Sequence, residues 1–292
     1  MIAIDPTTKI ISTSALAGLF AALLVLGLLF PLRKRARPFS ARLVINGIFT
    51  VLSIAAGVLV VAPVALHVME WPNPFSFGIL NWLKLPHWVE FILGFLLLDL
   101  TFYYWHRLNH EVGLLWRFHN VHHIDSDVDV TTSFRFHFVE IIYSSLFRGL
   151  QVLIVGPSMA IYVVYEIVFQ AGTMFHHSNI KLSLKLERVI NYVFVTPRMH
   201  GIHHSAVRSE TDSNYSVVIR WWDSIHRSIH LNVPHKDITI GVPAYLEKGD
   251  NHLWSCISMP FMKQRDYWRF PGGREAVDRG GDEIKARGRL IE

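Results

Sequence analysis

Three groups of histidines give this sequence its chemistry. His106 and His110 lie four residues apart in His-Arg-Leu-Asn-His. His119, His122 and His123 follow in His-Asn-Val-His-His, and His200, His203 and His204 repeat that pattern in His-Gly-Ile-His-His. Spacings of three and four put side chains on one face of a helix, so each group can aim ring nitrogens at a common point. Paired imidazoles at helical spacing are a metal-binding device. Eight such ligands exceed what one four- or six-coordinate ion can use, so the expectation is a site with two metals. The chain has 17 histidines and one cysteine. Metal chemistry therefore falls to imidazole and carboxylate, with no thiolate site and no internal disulfide.

Three more histidines join the candidate ligands because of where they fall: His137 at the start of a long apolar segment, and His176 and His177 at its end. The remaining six, His67, His87, His226, His230, His235 and His252, are expected to pack or hydrogen-bond. Neutral imidazoles cannot offset two divalent ions, and metal-bound histidines usually donate their second nitrogen to a carboxylate. Asp99 and Glu140 are the favoured partners, since an ionisable group inside an apolar span is costly and marks function. Asp125, Asp127, Asp129 and Asp212 flank the groups, with Asp127 and Asp129 expected to be exposed loop acids.

The elements that position these residues are apolar helices. Of 292 residues, 51% are hydrophobic and 17% charged, and mean hydropathy is +0.30. Soluble proteins carry about 25% charged residues, so a disordered chain is excluded and a membrane protein expected. Uncharged or nearly uncharged runs at Ala15–Leu32, Leu43–Met69 and Leu85–Trp105 are each compatible with a span of roughly 20 residues. The run Phe138–Phe175 is about twice that length and is broken at Gly156-Pro157, which predicts a helical hairpin. The fold class is therefore all-α, a multi-span helical membrane protein. Residues 33–42 hold Arg33, Lys34, Arg35, Arg37 and Arg42 with no acid, which places that loop in the cytoplasm. Alternating the spans brings every histidine group to the same, cytoplasmic, face. The divisions expected are membrane spans over 1–98, a catalytic core over 99–230 and a polar cytosolic region over 231–292, whose last part, 263–292, reads as a mobile solvated tail.

From Asp99 to Asp223 the sequence resembles the fatty acid hydroxylase and sterol desaturase superfamily of integral-membrane oxygenases. The resemblance rests on the three histidine groups in their order and on three further segments. Arg135-Phe-His137-Phe-Val-Glu140 is similar to an Arg-x-His-x-x-Glu element, and His177-Ser-Asn179 to a His-Ser-Asn element. Met199 to Tyr215 with Trp222-Asp223 is similar to the stretch that closes the family core. Phe138 stands where relatives often have proline, and no Phe-Gly-Thr follows Asp223. The resemblance implies two ferrous ions on the histidines, dioxygen as co-substrate and a lipid chain entering from the membrane. It adds Asn179 and Asp212 to Asp99 and Glu140 as candidate catalytic residues.

Breaking an unactivated C–H bond needs an oxidant stronger than any side chain, hence a metal that activates oxygen. Hydroxylation and desaturation both remain open, as do sterol, acyl, sphingoid, ether-lipid and carotenoid substrates in a channel lined by Leu, Phe and Val. The chain has no dinucleotide fingerprint, haem-attachment motif or cysteine set for an iron–sulfur cluster. Electrons must come from a separate ferredoxin or small haem protein with its reductase; no nucleic-acid partner is expected. The competing reading is a metal-binding membrane protein such as a transporter or zinc hydrolase. A transporter would put its ligands mid-span rather than at span ends, and a hydrolase would leave most of the histidines unexplained. A haem-binding cytochrome would use isolated facing histidines, and a non-catalytic relative would have no need of intact groups.

Overall fold

The structure is a computed structural model, describing residues 5–71, 77–276 and 290. Among the described residues it is all-helical, with only isolated β-bridges. Helix α1 (Pro6–Leu29) begins where Asp5 accepts the Thr8 amide at 2.9 Å, with proline at its first position. α2 (Phe39–Ala56) runs through one π-helical turn, Gly57–Val61, into α3 (Ala62–Glu70). A short α4 (Ile79–Leu83) leads into α5 (His87–Glu111). The predicted hairpin is present as α7 (Phe138–Val155) and α8 (Met159–His177). Between α5 and α7 lies α6 (Gly113–His123). Beyond α8 the chain forms short helices, including α9 (Leu184–Ile190) and α10 (Pro197–His203).

Four described helical segments are long and apolar enough to cross a membrane: Pro6–Leu29, Phe39–Glu70, His87–Glu111 and Phe138–Val155. The more polar α8 runs back beside them. α5 continues past Trp105 without a break, which carries His106 and His110 beyond the apolar run on the same rod.

At the far end of the bundle Gly156 caps α7 with φ +65°, and Gly78 has φ +130°. A Cβ on Gly78 would stand 2.7 Å from the Gly156 Cα, so these two backbones touch where only glycine fits. At the other end all three histidine groups lie under a cap. Its core joins Phe49, Trp116, Val121, Ile124, Tyr245, Cys256 and Met259. Tyr267 and Trp268 pack against this core, the Trp268 ring stacked on Trp116 at 6.0 Å. Tyr267 and Trp268 thus tie this part of the expected tail to the cap, while most of residues 263–276 are exposed to solvent. The rest of that expected tail lies outside the described residues, Leu290 excepted, which is buried beside Met199 and Leu231.

The loop acids also differ from expectation. Asp125, Asp127 and Asp129 are all buried around Arg42, whose guanidinium pairs with Asp125 at 2.7 Å and Asp129 at 2.8 Å. Asp127 also accepts the Ala36 and Arg37 amides at 2.6 and 2.8 Å. A loop that reads as polar is drawn inward by a cation far away in sequence. Removing one partner from such a buried set costs about 3–5 kcal/mol.

Candidate metal centre

Two groups of imidazoles converge at the capped end. One comprises His106, His110, His119, His123 and His203; the other His122, His177, His200 and His204. Within each group one nitrogen per residue lies within 4.8 Å of all the others, and every member is buried. The helices explain the convergence. α5 supplies His106 and His110, α6 supplies His119, His122 and His123, α8 supplies His177, and α10 with its C-cap supplies the last three.

Which nitrogens point inward follows from hydrogen bonding. A backbone carbonyl can only accept, so a ring nitrogen facing one carries the proton. The Nδ1 atoms of His106 and His203 face the carbonyls of Tyr215 and Ser213 at 2.7 and 2.6 Å. Both Nε2 atoms are then bare lone pairs, yet they stand 3.2 Å apart with no proton to share. Burial holds His203 down to about 3 and keeps His123, His200 and His204 well below their ordinary value, so protonation does not relieve the clash.

In the second group His177 donates from Nδ1 to the Thr173 carbonyl at 2.8 Å. Its Nε2 lies 3.0 Å from that of His122 and 2.9 Å from that of His200. Metal–imidazole bonds of about 2.0–2.1 Å put neighbouring ligand nitrogens roughly 2.9–3.4 Å apart, so these separations fit nitrogens arranged around a cation. Further buried ring nitrogens without partners, among them both of His110, Nε2 of His119 and of His123, and Nδ1 of His200, leave the same demand.

Glu140 reaches the first group: its Oε1 accepts from His119 Nδ1 at 2.8 Å, and its other oxygen is buried without a partner. Asp212 stands 3.6 Å from His110 Nδ1 and is raised above its ordinary value by burial. The other expected residues sit elsewhere. His137 caps α7 through Nδ1 and donates from Nε2 to the Ile257 carbonyl at 3.2 Å, so both nitrogens are used outside either group. His176 donates to the Val217 carbonyl at 3.0 Å and its ring lies tilted against that of His200 at 4.0 Å, beside the second group rather than in it. Asn179 exchanges two 2.9 Å hydrogen bonds with the backbone of Arg33 and fastens the loop after α1. Asp99 accepts from the Ile219 amide at 3.0 Å and the Trp222 indole at 2.8 Å and belongs to neither nitrogen group.

The sequence marks residues 213–215 only as part of a motif and gives no sign of what the backbone of 213–219 does. Its carbonyls at Ser213, Tyr215 and Val217 orient His203, His106 and His176, while Asp223 holds it by accepting the Tyr215 and Ser216 amides, each at 2.9 Å. Backbone acceptors leave no trace in residue type. Asp223 was the one available signal, as a buried carboxylate closing the motif.

Below the nitrogens, inside the helical bundle, is a chamber of about 690 Å³. It lies between the packed pairs α1–α8 and α2–α7, and His106, His119, His122, His176, His177 and His200 form its roof. The π-helical turn contributes Gly57, Val58 and Val61 to its wall; such turns often mark functional sites.

Residues 91–228 match the fatty acid hydroxylase family. The chain is 27% identical over 199 residues to the ornithine lipid hydroxylase OlsE of Rhizobium tropici, covering 68% of this chain and 55% of that protein. It is 30% identical over 183 residues to human alkylglycerol monooxygenase, covering 59% and 39% respectively. With human cholesterol 25-hydroxylase it shares 28% over 151 residues, 49% of this chain and 51% of that one. The matches therefore span about half or less of the length of these relatives. No solved structure matches the chain. The histidine groups in their order, their convergence under the cap and the match together mark residues 91–228, just under half of the chain, as a fatty acid hydroxylase domain.

Proposed function

We propose that this chain is a membrane-bound di-iron oxygenase that hydroxylates a C–H bond of a lipid, using dioxygen and electrons from a separate carrier protein. The observation that carries the reading is the pair of converging nitrogen groups in the roof of a chamber lined by helices long and apolar enough to cross a membrane. Five imidazoles in the first group exceed the four ligands of a tetrahedral zinc site, and imidazole suits iron. Two irons held there would supply the oxidant that an unactivated C–H bond requires. The overall reaction balances as one C–H bond, one dioxygen, two electrons and two protons giving an alcohol and water. Of the two outcomes open in the sequence, hydroxylation has the support of relatives named as hydroxylases and monooxygenases.

This chain's own residues have separable tasks. Members of the two groups would hold the ions, with His176 beside them. Glu140 fixes the His119 ring and brings a negative charge to an otherwise neutral ligand set. The Phe136 ring, stacked 4.4 Å from His122, and Phe102 and Trp105 keep water from the roof. We assign the catalytic unit to residues 99–230 and its metal-bearing end to the cytoplasmic side, where the 33–42 loop carries its basic residues and a soluble electron carrier can reach it.

The test is metal analysis of the purified protein together with lipid mass spectrometry of cells with and without the gene. Two irons per chain and an oxygen-dependent product 16 mass units heavier are expected. One zinc with no redox response would refute the reading, and a product two units lighter would change hydroxylation to desaturation.

A further inference from the structure

The chamber is not the purely apolar channel that its helices lead one to expect. Along α7 the side chains of Glu140, Ser144 and Arg148, four residues apart, line one wall; along α8 Tyr162, Glu166, Gln170, Thr173 and His177 line the facing one. Arg148 and Glu166 meet across it at 3.1 Å, and the guanidinium lies over the rings of Phe102 and Phe169 at 5.4 and 5.8 Å. α7 has 18 residues, about 27 Å at 1.5 Å per residue, so Arg148, its eleventh, is near the middle of the bilayer. Charges at that depth face cavities and mark substrate paths, and an apolar pair would pack there at no loss of stability. The Arg148 side chain is 8% exposed and that of Glu166 29%, so the carboxylate opens into the chamber. Ser144, Tyr162 and Gln170 make no side-chain hydrogen bond to another described residue, which leaves donors and acceptors free for a ligand.

We propose that this floor recognises a neutral hydrogen-bonding group, above all a hydroxyl, on the lipid whose far end is oxidised. The inference rests on the oxygenase reading for the word oxidised, but not for binding. A hydroxyl can donate to Glu166 and accept from Arg148 or Gln170 at once. A cation or an anion gains one member of the pair and is repelled by the other, and must shed water to reach mid-bilayer. Arg148 lies two helical turns from Glu140, about 12 Å along the axis. At roughly 1.2 Å per bond of an extended chain, the oxidised carbon is about ten bonds from the hydroxyl. The substrate class is thus a neutral lipid alcohol lying with its polar end toward mid-bilayer, rather than a phospholipid.

The experiment is equilibrium binding of tritiated 1-tetradecanol, tetradecane and tetradecyltrimethylammonium to the full chain in bilayer discs, each corrected for partition into empty discs. The alcohol should bind about tenfold more tightly than either other probe, a difference of the size of one hydrogen bond. Glu166→Gln and Gln170→Leu should each reduce that preference to about twofold or less while leaving alkane binding unchanged. Gln170 belongs to no ion pair, so its variant separates recognition from folding. Equal binding of alcohol and alkane by the unmodified chain, tighter binding of the cation, or loss of both neutral probes together in the variants would overturn the proposal. Selective binding with no oxidised product under dioxygen and reductant would sink the oxygenase reading alone. Oxidised product with no preference for the alcohol would sink this one alone.

Discussion

The two nitrogen groups are neighbours, yet they are supported differently. In the first, His106, His203 and His119 each pass their second nitrogen to a fixed acceptor, the carbonyls of Tyr215 and Ser213 and the Glu140 carboxylate. In the second, His177 alone has such a carbonyl; the Nδ1 atoms of His122, His200 and His204 have none, and those rings are held by stacking, His122 on Phe136 and His204 on His123. The second group is also more open to the chamber, which His122, His177 and His200 line against only His106 and His119 of the first. Outer partners fix ligand orientation and add basicity. The first group is therefore the anchored, anion-supported half, and the second the half more open to the chamber, where the proposed reading puts the substrate.

The largest effects should come from the proposed ligands themselves. His203→Ala and His177→Ala are each expected to lower turnover at least a thousandfold, because each takes from its half a nitrogen whose ring is oriented by a backbone carbonyl. Metal analysis should show the first variant losing the anchored ion and the second variant the exposed one. Near-normal metal content with either change would dissolve the division into halves. Graded chelation is the next test: the exposed ion should leave first, giving a one-iron intermediate, and bound metal should raise the unfolding temperature through its affinity for the folded state alone. Release of both ions in a single step would contradict the comparison. Glu140→Gln follows, with a 10- to 100-fold loss of affinity expected at the anchored half only. Since this keeps size and hydrogen-bonding capacity, an equal loss in both halves would mean that Glu140 sets the shape of the whole cap.

Much of this was legible in the sequence because it rests on side-chain type and helical spacing. The apolar runs, the break at Gly156, the helical pairing of His106 with His110 and the triplets on α6 and α10 follow from period and composition. So does the contact of Glu140 with His119, from the cost of a carboxylate in an apolar span. Illegible were pairings across long separations. Arg42 reads as one more basic loop residue, and only the fold brings it to Asp125 and Asp129. His137 fits the pattern of a ligand by type and place, but its position before α7 makes it a helix cap instead. The Arg148–Glu166 floor depends on two helix faces whose mutual register no single helix records.

Asp99 gives the smallest and most discriminating prediction. By residue type it is the charge in a span that ought to serve the metals, yet its carboxylate holds the Ile219 amide and the Trp222 indole through one and the same oxygen. Through that grip it steadies the segment whose carbonyls orient His106, His203 and His176. Asp99→Asn keeps an oxygen that can accept both bonds, so the anchored half should stay loaded and turnover fall only about two- to fivefold. Asp99→Leu removes the acceptor and leaves two buried donors, each costing about 1–3 kcal/mol, so it should loosen the segment and selectively weaken the anchored ion. A positioning residue requires this split between the two variants. If asparagine is as damaging as leucine, the charge itself acts on the reaction, and the boundary between the anchored half and its scaffold must be drawn two helical turns deeper along α5.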